Sequence, residues 1–181
     1  MYYPKSNSLR LPGYDYSQPG WYFVTLTTRN RSCLFGLLQN DKIVLNNAGY
    51  MIKTTWQELP QYYPQIELDV FQVMPDHMHG ILIIKPESAT NTAEKSFASI
   101  QLVVSAESLS LITLIERFKS LTTHRYMQGV KEKGWQRFSK KLWEVSFHDH
   151  VIRNESALSS VREYIHNNVR KWELENLGIV P

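Results

Sequence analysis

Two apolar runs broken by Pro75-Asp76 constrain this chain most. Ile66, Leu68 and Val70 alternate with Glu67 and Asp69, and the stretch Ile66–Met74 then becomes apolar but for Gln72. After the Pro75-Asp76 break, His77–Ile84 is apolar again. Alternation followed by a turn pair and a second run predicts a β-hairpin whose second strand is buried on both faces. That second strand opens with His77-Met78-His79. Residues i and i+2 of a strand point to the same face. Two imidazoles about 6–7 Å apart along a strand can converge on one metal ion.

The rest of the chain falls into elements around this hairpin. Trp21–Thr28 is aromatic and β-branched and reads as a strand, and Lys42–Leu45 as a short one. Asn46 can cap a helix reaching about Leu59 and stopped by Pro60, with Ala48, Met51, Ile52 and Trp56 inward. Leu111, Leu114, Ile115, Phe118 and Leu121 give an amphipathic helix over Ser110–Met127. Leu142–Phe147 reads as the last strand. Asn154 can cap a final helix to Leu174 that turns Leu158, Val161, Ile165 and Trp172 to one side. Residues 86–110, rich in Ser, Ala, Thr and Glu, read as an exposed, flexible insertion, with Ile100–Val104 a short strand inside it. The order predicts one α+β domain over 1–181: a ferredoxin-like or RRM-like antiparallel sheet with helices packed on it.

Composition narrows the function classes. No apolar run approaches the ~18 residues of a membrane span, and the first residues have no secretory apolar stretch. The one cysteine, Cys33, allows neither an intrachain disulfide nor a cysteine zinc site. We read it as a small buried residue and expect a cytoplasmic protein. The formal net charge is only +3, but its distribution is uneven. From Arg117 to Lys141 there are eight Lys/Arg against one acid, Glu132, interleaved with Phe118, Tyr126, Trp135 and Phe138. Such a segment either binds phosphates and stacks bases or is a solvated face with its aromatics in the core.

Tyr164 and Asn168 lie at i and i+4 and share one face of the final helix. Alone they suit a core tyrosine and a helix-end asparagine. Joined to His77 and His79 they suit phosphoryl transfer, with a metal held by two imidazoles and one amide oxygen keeping open positions for a phosphate. A phenol with a pKa of about 10 is a poor nucleophile, but it can attack a metal-bound phosphate to give a covalent phosphotyrosine. Attack on DNA would leave the protein on the 5′ end and free a 3′-OH. His148-Asp149-His150 is a second H-x-H, for which we expect a role in structure or DNA contact. His124 and His166 read as surface or packing groups. Asp76 reads as a turn residue or a support to a histidine.

Pro75-Asp76-His77-Met78-His79-Gly80-Ile81 resembles the HUH motif of the single-strand DNA transposases. Phe118-Lys119-Ser120, Leu142-Trp143, His148–Glu155 and Glu163–Asn168 resemble, in order, segments of the REP-associated tyrosine transposases, as do Gly13–Tyr16, Tyr22–Thr25 and Asn30-Arg31. The resemblance covers about residues 10–175. It implies a single-tyrosine, HUH-type endonuclease and strand transferase acting on single-stranded DNA beside hairpins, with Mg²⁺ or Mn²⁺. It makes Tyr164 the nucleophile and His77, His79 and Asn168 the ligands. Val169 stands where the family commonly has proline, which alters a helix end and removes no ligand. Arg29, Lys119, Arg125 and His150 are the expected nucleic-acid contacts. The partner would be single-stranded DNA with hairpins and no membrane, bound by a monomer or homodimer. Two other readings fit the residues: a non-catalytic single-stranded or hairpin nucleic-acid-binding module, and a metal-dependent phosphodiesterase that uses water in place of Tyr164.

Overall fold

The computed structural model describes residues 10–40, 42–86 and 109–176. The run around Tyr22 forms β1 (Gly20–Thr27), the strand that the others pair with or build upon. The stretches either side of Pro75-Asp76 form the expected hairpin, β4 (Ile66–Val73) and β5 (His77–Ile84). With β6 (His148–Ile152) they make a four-stranded sheet in the order β4-β5-β1-β6, every neighbouring pair antiparallel. Of these four strands in chain order, the fourth lies beside the first and the third separates the first from the second. This is the ferredoxin-like arrangement that the order of elements predicts.

Strand periodicity decides which helices cover which face. Tyr22, Val24 and Leu26 of β1, with Met78 and Leu82 of β5, face one way and are fully buried. There they meet α1 (Asn47–Gln57) and α3 (Leu111–Lys133) through Ile52, Trp56, Leu114, Ile115 and Phe118. Phe23, Ile81 and Ile152 face the other way, against Leu158, Val161 and Ile165 of α4 (Glu155–Asn176). Gly80, paired with Val24, belongs to the α1 face, and Trp56 packs against it. A Cβ there would stand 2.7 Å from the indole Cζ2. The caps are those the sequence offers: Asn46 Oδ1 accepts from Gly49 N–H at 2.9 Å, and Asn154 Oδ1 from Ala157 N–H at 2.9 Å.

Several local expectations are corrected. Leu142–Phe147 is not the last strand. Trp143 makes a single bridge to Thr28, and the segment is a loop that buries Leu142, Trp143 and Phe147 and leaves Val145 exposed, the Trp143 indole N–H donating to Thr122 Oγ1 at 3.0 Å. The strand begins at His148. A strand absent from our reading, β2 (Gly36–Gln39), pairs with β3 (Lys42–Leu45) in a separate ribbon. Pro60 does not stop the first helix, which ends at Gln57. It sits in the first turn of a short α2 (Leu59–Tyr62), where its missing N–H costs nothing. The helix expected to end at Met127 continues to Lys133 and closes at Gly134 in the left-handed region, φ 66°. Cys33 is exposed, not buried. In the basic segment Phe118 and Tyr126 are core residues, so neither can stack a base. Burial pushes the Tyr126 phenol up to about 12. Residues 87–108, with most of the expected insertion and its Ile100–Val104 strand, lie outside the described residues.

Candidate active site

β5 starts directly after the Pro75-Asp76 turn, and its odd-numbered residues face α4. His77 and His79 are therefore placed side by side on that face, 5% and 4% exposed. Their Nε2 atoms are 3.0 Å apart. Both Nδ1 atoms are held from behind. His77 Nδ1 lies 2.6 Å from Asp76 Oδ1, and His79 Nδ1 lies 2.8 Å from Thr25 Oγ1 of the adjoining strand. A carboxylate on His77 Nδ1 fixes the proton there and turns the Nε2 lone pair to the site. Phe23 stacks on the His79 ring at 5.5 Å between centroids.

Asp76 is more than a turn residue. It is 4% exposed, and its Oδ1 also accepts the Trp172 indole N–H at 3.0 Å. Its backbone carbonyl accepts from Thr28 N–H and Thr28 Oγ1, both at 2.9 Å. Burial pushes its carboxyl up. The His77 hydrogen bond and charge, Arg31 and the Trp172 N–H outweigh that and hold it below its ordinary value.

The opposite wall is α4. Tyr164, Asn168 and Trp172 fall at i, i+4 and i+8 and make one stripe. The Tyr164 ring meets His79 edge-on at 5.4 Å and Phe23 at 5.9 Å. Asn168 is buried, its Nδ2 3.2 Å from His77 Nε2. A half-turn of that amide would put Oδ1 in the same place. Arg162 clamps the helix to β4 by a two-pronged bond to Asp69 at 3.0 and 2.5 Å. A cleft of about 650 Å³ opens over these residues, closed on its far side by Glu144–His148.

The structure thus brings together Tyr164, His77, His79 and Asn168. The expected nucleic-acid contacts are more scattered. Arg29 pairs with Glu144 of the cleft wall at 2.5 Å. Lys119 donates to the carbonyls of Glu144 and Val145 at 2.6 and 2.9 Å and so supports that wall. Desolvation draws its ammonium below its ordinary value, against the pull of Glu116 and Glu144. Arg125 is on the far face of the sheet, bound to Thr55 and Glu58 at 2.8 Å each. His150 is exposed on β6, opposite Phe23. His166 is exposed, turned from the site. Sequence reasoning missed Thr25 and Arg31 as cleft residues and gave Trp172 to the core. The i+8 spacing from Tyr164 was the available signal for Trp172. Arg31 follows Asn30 in a turn where both take left-handed φ, 53° and 57°, and its guanidinium stands 3.7 Å from Asp76 Oδ2.

The donor set fits a divalent ion. Two lone pairs 3.0 Å apart repel unless a proton or a cation lies between them, and two ligands at right angles, each about 2.1 Å from one ion, are themselves about 3.0 Å apart. Among the described residues no three His, Cys, Asp or Glu side chains form a metal group, so the third protein ligand here would be the Asn168 amide. Imidazole donors suit first-row transition ions such as Mn²⁺ better than they suit Mg²⁺.

Fold and site together define an α+β protein with a paired-histidine cleft closed by a tyrosine-bearing helix. The chain belongs to one family with an uncharacterized protein of Haemophilus influenzae, to which it is 32% identical over 176 residues, 95% of this chain and 92% of the other. No protein-family model matches it. The solved structure of the REP-associated tyrosine transposase bound to a REP hairpin shares the fold: TM-score 0.56 at 20% identity, covering 97% of this chain and 76% of the other. The fold therefore agrees with the resemblance carried by the motifs. Among the described residues no helix is long and apolar enough to cross a membrane.

Proposed function

We propose that this protein is a metal-dependent endonuclease and strand transferase for single-stranded DNA, a cytoplasmic transposase-type enzyme that cleaves beside hairpins through a 5′-phosphotyrosine on Tyr164. One observation carries the reading: the two imidazole Nε2 atoms meet at 3.0 Å under the tyrosine and asparagine of one helix stripe. His77, His79 and the Asn168 amide oxygen would hold Mg²⁺ or Mn²⁺, which supplies Lewis-acid polarisation of a phosphate oxygen.

The remaining work falls to the chain. Asp76 and Thr25 hold the imidazoles in the orientation a shared ligand needs. Phe23 and His79 flank the Tyr164 ring and restrict its rotation, which lowers the entropy cost of aiming the phenol at phosphorus. Arg31 at the cleft is positioned to bind a phosphate oxygen. The Tyr164 oxygen then bonds to phosphorus as the bond to the 3′-oxygen breaks, and the ester stays on the protein until a 3′-OH reclaims it. An RRM-type binding platform is a poorer match, because such a sheet presents an open face for bases and here α4 lies across it.

The test is adduct formation. Purified protein with Mn²⁺ and hairpin-flanked single-stranded oligonucleotides should give an SDS-resistant protein–DNA species, and Tyr164→Phe should abolish it. Cleavage that persists in Tyr164→Phe points to the water-based phosphodiesterase. Salt-sensitive binding with no cleavage points to the binding module.

A further inference from the structure

The cleavage reaction above leaves one chemical demand unmet. The departing 3′-oxygen is an alkoxide whose conjugate acid is about as weak as water, pKa near 15.7, so it leaves slowly unless it is protonated as it goes. The described lining of the cleft holds six ionisable side chains: Arg31, His77, His79, Glu144, His148 and Tyr164. His77 and His79 turn their Nε2 atoms on each other. Glu144 accepts from Arg29 and from Asn30 N–H at 3.1 Å. The backbone bond from Asn30 and the Arg29 pair hold its carboxyl below the ordinary range, so it has no proton to give. A guanidinium is too weak an acid to serve, and Tyr164 is the nucleophile. His148 remains, and imidazole is the side chain that changes charge near neutrality.

Its placement suits the task. His148 pairs in register with Thr25, and Thr25 pairs on its other side with His79. The three form one row across the sheet face that α4 overlies. Two strand spacings put the His148 and His79 backbones about 10 Å apart, and both residues line the same cleft of about 650 Å³, in which a phosphodiester would lie. The strand is anchored from the opposite face, where the Tyr16 phenol donates to Asp149 Oδ2 at 2.6 Å.

We propose that His148 is the general acid of strand cleavage. The proposal rests on the tyrosine reading above. As the Tyr164 oxygen bonds to phosphorus, its proton passes to water. The P–O3′ bond breaks, its electron pair stays on the 3′-oxygen, and the His148 imidazolium protonates that oxygen. In strand joining the same imidazole, now neutral, takes the proton from the attacking 3′-OH.

The test uses paired substrates, identical but for sulfur in place of the scissile 3′-oxygen. A thiol has a pKa near 8.5, so a thiolate leaves without help. With Mn²⁺ and the oxygen substrate, His148→Ala and His148→Gln should form adduct about 100-fold or more slowly than the parent protein, as for loss of a general acid. With the sulfur substrate both should come within about threefold of it, a rescue that a structural or DNA-gripping role would not give. Equal slowing on both substrates, or no slowing on either, overturns the proposal. No adduct from the parent protein on either substrate overturns the tyrosine reading itself and this inference with it.

Discussion

Removing the carboxylate behind His77 should separate the parts of the site in a measurable way. Asp76 Oδ1 accepts two N–H groups, from the buried His77 at 2.6 Å and from the half-buried Trp172 at 3.0 Å. Asp76→Ala leaves both without that acceptor, at about 1–3 kcal/mol for the buried imidazole and less for the half-buried indole, so the expected loss of folding stability is about 2–5 kcal/mol. For a chain of this length that is roughly 4–20 °C in Tm by thermal melting. The two bonds that the Asp76 backbone carbonyl accepts, from Thr28 N–H and from the Thr28 hydroxyl, survive the change, which argues for a weakened fold and not an absent one. The freed imidazole can also rotate, so Mn²⁺ affinity measured by titration calorimetry should fall about 10–100-fold, equivalent to about 1.4–2.7 kcal/mol. Asp76→Asn keeps an oxygen at the same place but not its charge. It should retain most of the stability and lose less than about tenfold in affinity. If Asp76→Ala melts with the parent protein and binds Mn²⁺ within threefold of it, the carboxylate does not position His77. If Asp76→Asn is as weak as Asp76→Ala, charge and not orientation is what the ion needs.

Two further predictions concern the scaffold. At Gly80 a methyl group would meet the Trp56 ring at 2.7 Å, while at Gly49 it would meet the Phe35 backbone carbonyl at 2.0 Å. Gly80→Ala should cost about 1–3 kcal/mol in denaturant unfolding and Gly49→Ala more, because a carbonyl held in the chain yields less readily than an indole; the reverse order would contradict the packing. The Arg162 hydrogen bonds hold the Asp69 carboxyl below its ordinary range against the effect of burial, with Val70 N–H helping. The unfolded chain therefore takes up a proton before the folded one does, so this pair stabilises fully above a pH of about 4 and stops doing so as the pH falls through the lower folded value. Melting curves taken into acid should show a shallower decline for Arg162→Met than for the parent protein, and an identical decline would remove the pair from the account of acid stability.

The sequence discloses those parts of the molecule whose causes are local. The hairpin follows from Pro75-Asp76 between two apolar runs, and the α4 start from Asn154 and the acid after it. Tyr164 and Asn168 share a face by spacing alone. What it hides depends on partners far along the chain. Leu142 and Trp143 look like strand residues and are buried, but by loop packing, while His148–Ile152 becomes a strand only because β1 supplies an edge more than a hundred residues earlier. Pro-Asp is good turn chemistry, so Asp76 reads as a turn until the fold brings Trp172 to it from 96 residues away. Arg125 belongs to a basic run, yet its acid is Glu58, 67 residues back in the turn between α1 and α2.

One set of residues nonetheless specifies both the core and the site. Tyr22, Val24 and Leu26 of β1 and Met78 and Leu82 of β5 must all face α1 and α3, so the strands pair with Val24 opposite Gly80 and Leu26 opposite Met78. That register forces Thr25 opposite His79 and Thr27 opposite His77, all on the α4 face. A slip of one residue would turn one strand's whole set over, sending either both histidines or the β1 core residues to the wrong side. The apolar pattern therefore does more than bury surface. By fixing parity on two adjacent strands it puts the two imidazoles under Tyr164 and Thr25 against His79. Gly80, in the same register and with no Cβ, leaves Trp56 room against β5, where a methyl group would stand 2.7 Å from the indole.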